Sequence, residues 1–162
     1  MEAITIGIEM AIPETIKIER IEDYWTHDIG NYDVDSQFMA FIVATLPVPH
    51  GRDWAEHKRW YAVLHTFDAN GNYLQTQSWF AGVTADGENK VVDKARIKRE
   101  EMLGSLGNIV YCDVFIKLFS VTIDDHIFGL VDVTEPEDEH EYVELMPNGF
   151  VFYPPWDGSF DT

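Results

Sequence analysis

A stripe of four amide and aromatic side chains is the feature of the sequence best suited to binding a ligand. It consists of Tyr73, Gln75, Gln77 and Trp79. Alternate side chains of a β-strand point to one face, so the four are expected to share a face whichever register the adjoining turn selects. Rings supply flat contact area and amides supply donors and acceptors. The 73–79 stripe therefore suits a pocket for a polar, partly flat ligand, or else a solvent-facing sheet surface.

Titratable side chains within apolar stretches are the candidates for acid–base chemistry. His65 and Asp113 each lie in the middle of a predicted strand of apolar and aromatic residues. Burial shifts the pKa of such a group and can prepare it for proton transfer. Lys117 lies about 13 Å from Asp113 along an ideal strand, so the two cannot pair directly. We expect Asp113 and Lys117 to face solvent, and His65 is also a candidate for lining the ligand pocket.

Metal and thiol chemistry have little support in the sequence. Asp124 and Asp125 precede His126, but the preference of Asp for turns explains the pair, and no His-Glu-x-x-His spacing occurs. Cys112 shares a predicted strand face with apolar residues, which is typical of a small buried side chain. The sequence therefore predicts no catalytic residue set, no metal site and no cofactor.

An acidic segment near the carboxyl end is the second candidate binding surface. Between Glu135 and Glu141, only Pro136 and His140 are not acidic. Mutual repulsion favours a solvated, extended loop. The alternative is a surface that docks on a basic protein; a divalent-cation loop is disfavoured because Pro136 interrupts it and the regular calcium-loop spacing is missing. The side chains that would bind a basic partner are Glu135, Glu137, Asp138, Glu139 and Glu141.

Composition excludes several classes of protein. The 162 residues contain 11 Lys and Arg against 29 Asp and Glu, which gives a net charge of −18. This charge repels nucleic-acid phosphates and anionic lipids, so neither nucleic acid nor membrane is an expected partner. The single cysteine rules out a disulfide within the chain. No signal peptide and no membrane-spanning stretch is recognisable, so we expect a single soluble, cytoplasmic domain over residues 1–162.

Most of the chain has the pattern of β-strands. Residues 38–46 are apolar on both faces, which predicts a central strand covered on both sides. Residues 59–67 and 73–80 predict a hairpin, closed either by a type I turn with a bulge at Gly71 or by a two-residue type I′ turn at Asn70-Gly71. These turns differ by one residue in pairing. Further strands are predicted at 4–10, 15–21 (with a short helix as the alternative), 109–121, 126–133, 142–146 and 150–153.

One helix is predicted, from about Lys90 to Leu103. Residues 25–36, 50–56 and 81–89 are predicted loops. The seven to nine strands and one helix indicate a mostly β fold, either an antiparallel barrel-like sheet or a sandwich, with an α+β sheet curled around the helix as the alternative.

The last residues, from Pro154 onward, are not expected to form a strand. Trp156 and Phe160 in this segment either close one end of the fold or dock on another subunit. A homo-oligomer and a monomer are therefore equally favoured.

Three functions follow from these patterns. The leading hypothesis is a non-enzymatic, small-ligand-binding β-domain that uses the 73–79 stripe and His65. The second is an acidic protein-binding or inhibitory module that acts through residues 135–144. The third is a small acid–base enzyme that uses His65 or Asp113.

Overall fold

The computed structural model describes residues 11–162, and the predicted strand at 4–10 lies outside this range. Twelve strands and two α-helices occur in the described residues. The strands are β1 (Ile16–Ile18), β2 (Ile29–Tyr32), β3 (Ser36–Thr45), β4 (Arg59–Phe67), β5 (Tyr73–Val83), β6 (Ile109–Tyr111), β7 (Val114–Ile116), β8 (Phe119–Ile123), β9 (His126–Asp132), β10 (Val143–Met146), β11 (Phe150–Phe152) and β12 (Phe160–Asp161). The helices are α1 (Trp54–His57) and α2 (Glu88–Gly104), and two 3₁₀ helices cover Trp25–Asp28 and Thr84–Asp86.

The strands form three antiparallel sheets. The main sheet has the order β5-β4-β3-β2-β6, the second sheet has the order β12-β11-β10-β9-β8, and the small sheet pairs β1 with β7. Consecutive strands are neighbours in most pairs, as short hairpin connections require.

The main sheet separates two hydrophobic cores. One face packs on α2 through Phe38, Ala40, Ala62, Leu64, Val91, Ala95, Met102 and Leu103. The other face packs on the second and small sheets through Met39, Phe41, Val43, Tyr61, Val63, Phe67, Ile116, Phe128, Leu130 and Leu145, among others. Strand β3 is therefore covered on both faces, as predicted. The sheets do not close into a barrel, so the mostly β prediction is confirmed in its sandwich form, with α2 on the outer face.

The hairpin of β4 and β5 adopts the first of the two predicted turns. The Gly71 N–H donates to the Asp68 carbonyl oxygen at 3.0 Å, and Gly71 has a φ of +85°. The Asp68 carboxylate accepts the N–H groups of Asn70 and Asn72, each at 2.9 Å. A Cβ at position 71 would lie 2.7 Å from the Phe115 carbonyl oxygen, so this close approach to β7 requires glycine.

Five segments differ from the sequence prediction. Two predicted loops contain regular structure: Trp54–His57 forms α1 at the end of the predicted loop 50–56, and residues 81–83 of the predicted loop 81–89 complete β5. Residues 29–32 form β2 rather than a loop; Gly30 is needed there because a side chain would collide with the Val110 carbonyl oxygen of β6. Residues 109–121 divide into β6, β7 and β8, which pair in three different sheets. Phe160–Asp161 forms a short strand, β12, because it pairs with the end of β11. The described strands therefore outnumber the seven to nine predicted.

The aromatic side chains of the last segment close one end of the second sheet. Phe160 stacks on Tyr24 with ring centroids 5.6 Å apart and meets Phe150 edge to face at 5.1 Å. Trp156 packs against the same core. In residues 11–162, no helix is long and apolar enough to cross a membrane.

Candidate functional site

The 73–79 stripe does not share one face. Phe67 pairs with Tyr73 but Thr66 pairs with Gln75, so Leu74 is an extra residue in β5. The expectation of a single face is wrong because this bulge moves Tyr73 to the face opposite Gln75. The Tyr73 ring stacks on Phe119 with centroids 5.0 Å apart and faces the core between the sheets.

The other three members of the stripe share the α2 side of the main sheet and meet solvent. Gln75 and Gln77 are exposed, and the Trp79 side chain is 36% exposed. The Lys98 ammonium of α2 lies 5.8 Å from the Trp79 ring centroid. Because they are exposed on the edge strand of the main sheet, these side chains form part of the protein surface and do not line a cavity.

His65 is fully buried on the opposite face of the sheet from Gln77. Its ring meets Phe119 at 4.9 Å and Phe41 at 5.5 Å between centroids. Its Nδ1 atom lies 2.7 Å from Thr76 Oγ1, whereas Nε2 has no hydrogen-bond partner among the described residues. Burial lowers the pKa of His65 from 6.5 to about 3, so the ring is neutral near pH 7. The main sheet separates this site, termed the His65 pocket, from Gln75, Gln77 and Trp79, whereas Tyr73 donates its hydroxyl to the same Thr76 oxygen at 2.8 Å.

Asp113 has a structural role at the surface. Its Oδ1 atom accepts the Arg20 backbone N–H at 2.8 Å, and Oδ2 lies 3.7 Å from Lys17 Nζ. Asp113 lies between β6 and β7, and its side chain is 38% exposed, while Lys117 pairs with Glu14 at 3.0 Å. The structure therefore does not bring Asp113 and His65 into one site.

Asp124 ties the second sheet to the main sheet. Its Oδ2 atom accepts the Tyr61 hydroxyl at 2.6 Å and lies 3.3 Å from Arg59 Nη2. The Tyr61 hydrogen bond, followed by the charge of Arg59, lowers the pKa of Asp124. Asp124 and Asp125 both have positive φ in the two-residue turn between β8 and β9, which matches the turn role expected from the sequence.

The acidic segment forms the loop between β9 and β10. Glu135, Glu137 and Glu139 are exposed, whereas Asp138 and Glu141 are half-buried. The Asp138 carboxylate accepts the Glu135 N–H at 2.8 Å, which folds the loop back on itself. None of the ion pairs found within residues 11–162 involves this loop.

A cavity lies between the Trp25–Asp28 3₁₀ helix, β3 and α2, and none of the site residues expected from the sequence lines it. Its volume is about 240 Å³. It is lined by Asp23, Tyr24, Trp25, His27, Asp28, Phe41, Ile42 and Arg99, and is termed the Trp25 cavity.

This cavity lies along the edge of β3 that β2 leaves without a pairing strand. Strand β2 pairs with β3 only from Ser36 to Met39, so at Phe41 and Ile42 the cavity takes the place of a neighbouring strand. The preceding 3₁₀ helix is held by the His27 N–H, which donates to the Tyr24 carbonyl oxygen at 2.9 Å.

Two side-chain contacts hold the Trp25–Asp28 3₁₀ helix, which forms one wall of the cavity, in place. Fully buried Thr26 accepts the Ile21 N–H at 2.8 Å through its hydroxyl oxygen. The Trp25 ring stacks on Phe150 with centroids 4.6 Å apart. The wall that carries Trp25 and Asp28 is therefore anchored before any ligand arrives.

Opposite charges face each other in the Trp25 cavity. Asp28 is only 6% exposed, and its Oδ2 atom lies 3.4 Å from Arg99 Nε. His27 Nε2 lies 3.9 Å from Asp28 Oδ1. Arg20 Nη2 lies 2.9 Å from His27 Nδ1. A guanidinium can only donate, so His27 Nδ1 accepts this hydrogen bond. A neutral His27 ring therefore carries its proton on Nε2, which faces Asp28. Both distances to Asp28 exceed those of a well-formed hydrogen bond, about 2.7–3.2 Å.

Two residues that line the cavity carry N–H groups without a hydrogen-bond partner. Trp25 Nε1 and Arg99 Nε are buried and have no hydrogen-bond partner among residues 11–162. Buried polar groups are almost always satisfied by protein, water or ligand. Two N–H donors and a carboxylate at one cavity can together bind a small molecule that offers both an acceptor and a donor.

A second cavity, of about 280 Å³, offers less to a ligand. It is lined in part by Asp35, Gln37 and Asp113. The Gln37 amide already donates to the Phe115 carbonyl oxygen at 2.9 Å and accepts the Phe115 N–H at 2.7 Å, so it joins β3 to β7. Its polar atoms are used within the protein.

Nothing in the sequence indicated that the residues lining the Trp25 cavity would lie close together in the fold. Trp25, His27 and Asp28 lie in a stretch predicted to be a loop, and Arg99 lies in the helix predicted from about Lys90 to Leu103. Loops often carry binding residues, but the pairing of this loop with this helix face depends on tertiary packing.

The fold and cavity define an antiparallel β-sandwich with one covering helix and a small polar cavity beside an incompletely paired strand. Comparison gives no relative from which a function could be transferred: no family model, curated protein or solved structure matches this chain. Within residues 11–162, no group of three or more His, Cys, Asp or Glu side chains could hold a metal ion.

Proposed function

We propose that this protein is a non-enzymatic binding domain that holds a small polar ligand in the Trp25 cavity. The observation that carries the proposal is the set of incompletely used polar groups: the Trp25 indole N–H has no acceptor among the described residues, the Arg99 Nε–H meets Asp28 only at 3.4 Å, and all three residues line the same cavity. A ligand that bonds to these groups gains hydrogen bonds that the protein does not make with itself.

The chemistry of the cavity limits the class of ligand. The two N–H groups need an acceptor such as a carboxylate or carbonyl, and Asp28 accepts from an amine or hydroxyl. A volume of about 240 Å³ is smaller than the roughly 300–1,000 Å³ of typical drug-sized sites. Because the chain carries a net charge of −18, a net anion is repelled. A neutral or zwitterionic molecule of amino-acid size fits these conditions.

Binding is better supported than catalysis. The two acid–base candidates lie elsewhere: His65 is sealed among aromatic rings, and Asp113 bonds to the Arg20 backbone. The leading functional class expected from the sequence is therefore retained, while the proposed site moves from the 73–79 stripe to the Trp25 cavity.

The test follows the indole N–H signals of ¹⁵N-labelled protein by NMR while amino acids, small amides and sugars are added singly. Comparison with a Trp25→Phe variant assigns the Trp25 signal. We expect a ligand of this class to shift the Trp25 indole signal, because the N–H gains an acceptor, and to leave the exposed Trp79 signal unchanged.

Two variants complete the experiment. Asp28→Asn should abolish the shift, since it removes the charge that pairs with the ligand donor, and Trp79→Phe should leave it intact. Native mass spectrometry of gently purified protein tests for a ligand that is already bound. If no molecule of the class shifts the Trp25 signal, or if Trp79→Phe removes binding and Asp28→Asn does not, the proposed site is wrong.

A further inference from the structure

The Asp28 carboxylate of the Trp25 cavity lies between two basic side chains. Its Oδ2 atom lies 3.4 Å from Arg99 Nε, and its Oδ1 atom lies 3.9 Å from His27 Nε2. Asp28 is buried, whereas the His27 side chain is 48% exposed. Histidine is the side chain that ordinarily changes its charge between pH 5 and pH 8. Solvent protons therefore reach a neighbour of the buried carboxylate and can change the charge beside it.

Arg20 favours the neutral form of His27. Its Nη2 atom donates to His27 Nδ1 at 2.9 Å, and its Nε atom donates to the His27 carbonyl oxygen at 3.0 Å. The guanidinium and the imidazole lie 5.2 Å and 5.6 Å from the centroid of the same Tyr111 ring. A proton on Nδ1 removes the acceptor of the Arg20 hydrogen bond and brings two cations together. The charged ring therefore loses its bond to Arg20 and is attracted to Asp28.

Asp28 is the carboxylate best placed to attract a charged His27. Among the ion pairs of residues 11–162, it is the partner of the His27 ring. The charged and titratable groups around the ring and the cavity are Arg20, Asp23, Asp28, Tyr111 of β6, and Arg99 and Glu100 of α2. Asp23 is exposed, and Glu100 lies 3.8 Å from Arg99 Nη2. Burial, followed by the charges of Asp28 and Glu100, raises the pKa of Tyr111, so its hydroxyl stays uncharged near neutral pH.

We propose that the Trp25 cavity binds its ligand near neutral pH and releases it in mild acid, through proton uptake by His27. Release of this kind rests on the proposed function, because it requires a ligand whose ammonium group bonds to Asp28. The imidazolium formed in acid is attracted to the same carboxylate and repels the ammonium. Proton and ligand therefore compete, and each lowers the affinity of the protein for the other by the same factor. A ligand without a cation escapes this competition.

Two small probes separate the competition for Asp28 from other effects of acid. Glycine carries an ammonium group, whereas acetamide offers a carbonyl acceptor without a cation. The Trp25 indole N–H signal of ¹⁵N-labelled protein reports the binding of each probe. We expect the dissociation constant of glycine to rise at least about fivefold between pH 7.5 and pH 5.5, the lower end of the usual range for coupled sites. The constant for acetamide should change by less than about twofold, because acetamide places no cation at Asp28.

Two histidine variants identify the group that takes up the proton. His27→Gln should abolish the pH dependence of glycine binding. His57→Gln is the matched control and should retain it, because His57 also pairs with an aspartate, Asp53 at 2.9 Å, but lies in α1 and does not line the cavity. A dependence that persists in His27→Gln would assign the proton to another group, such as Asp28 itself, and would overturn the proposal.

Titration of the ligand-free protein tests the attraction between His27 and Asp28 alone. The imidazole C–H signals of His27 follow its proton uptake by NMR. Asp28→Asn should move the midpoint of this titration to lower pH, because the imidazolium loses the carboxylate that attracts it. Asp53→Asn, at the other His–Asp pair, should leave the midpoint of His27 unchanged.

The outcomes distinguish the acid release from the proposed function. Equal glycine affinity at both pH values, or a His27 midpoint that Asp28→Asn leaves in place, would overturn the acid release and leave the binding site intact. Failure of both probes to shift the Trp25 signal at pH 7.5 would contradict the proposed function, and the acid release with it.

Discussion

The Trp25 cavity and the His65 pocket both contain buried nitrogen atoms without hydrogen-bond partners among the described residues, but their surroundings differ. In the cavity, Trp25 Nε1 and Arg99 Nε lie near a carboxylate. In the pocket, His65 Nε2 lies among aromatic rings. Phe41 separates the two sites, because it lines the cavity and its ring lies 5.5 Å from the His65 ring.

The difference shows that an unpartnered polar atom indicates binding only where it borders a cavity. All three nitrogen atoms are buried, but Trp25 and Arg99 line the Trp25 cavity, and the Arg99 side chain keeps 21% of its surface accessible. His65 is fully enclosed, and desolvation keeps it neutral by lowering its pKa to about 3. The Trp25 cavity has N–H groups to which a ligand can bind, whereas the His65 pocket holds a group that lowers the free energy of unfolding in acid.

The largest expected effect is the loss of stability in acid caused by the His65 pocket. The unfolded chain binds a proton on His65 below about pH 6.5, whereas the folded chain binds it only near pH 3. Stability is therefore complete above pH 6.5 and falls as the pH is lowered, by up to about 1.4 kcal/mol per pH unit, or about 4–5 kcal/mol over the whole window. Urea unfolding followed by circular dichroism between pH 7 and pH 4 measures this slope.

Two variants isolate the contribution of His65 in this experiment. His65→Leu removes the titrating group and should flatten the slope between pH 6.5 and pH 4. Phe128→Leu changes a buried ring of the same core, keeps His65 and should leave the slope unchanged. A slope that persists in His65→Leu would mean that other groups cause the acid sensitivity.

Phe41→Ala should weaken the separation between the two sites. Removal of the nearly buried ring should cost about 3 kcal/mol of the free energy of unfolding, because the neighbours cannot fill the space. Water from the cavity should then reach His65 and make the acid slope shallower. Phe80→Ala, at a ring that is 41% exposed, is the matched control and should cost less without changing the slope. An unaltered slope in Phe41→Ala would show that Phe41 is not the barrier.

The sequence predicted those parts of the fold that depend on local patterns. The two-sided apolar pattern of residues 38–46 predicted the central strand, and the residue types of 68–72 predicted a hairpin turn, which takes one of the two forms left open by the sequence. The bulge at Leu74 was not predictable, because either turn register allowed regular pairing. That one extra residue moved Tyr73 from the proposed stripe into the core between the sheets.

The candidate site was less predictable than the fold. Asp28 and Arg99 lie 71 positions apart in sequence and meet only because α2 packs across the main sheet. Strand β2 ends its pairing at Met39 and so leaves room for the cavity, but its residues have the composition of a loop. A site of this kind depends on the residue at which two neighbouring strands stop pairing. No local pattern of side chains specifies that residue.

The smallest expected change in stability belongs to the cavity. Asp28→Asn keeps the shape of the side chain and removes its charge. The Asp28–Arg99 contact, at 3.4 Å, is longer than a well-formed hydrogen bond, so we expect the free energy of unfolding to change by no more than about 1 kcal/mol, while the ligand-induced shift of the Trp25 signal is lost. A structural ion pair would behave differently, because removing one partner of a buried pair costs about 3–5 kcal/mol. Urea unfolding of this variant therefore decides whether Asp28 stabilises the fold or binds the ligand. A loss of about 3–5 kcal/mol in the free energy of unfolding would show that the carboxylate stabilises the fold, as the His65 pocket does, and would contradict its role in ligand binding.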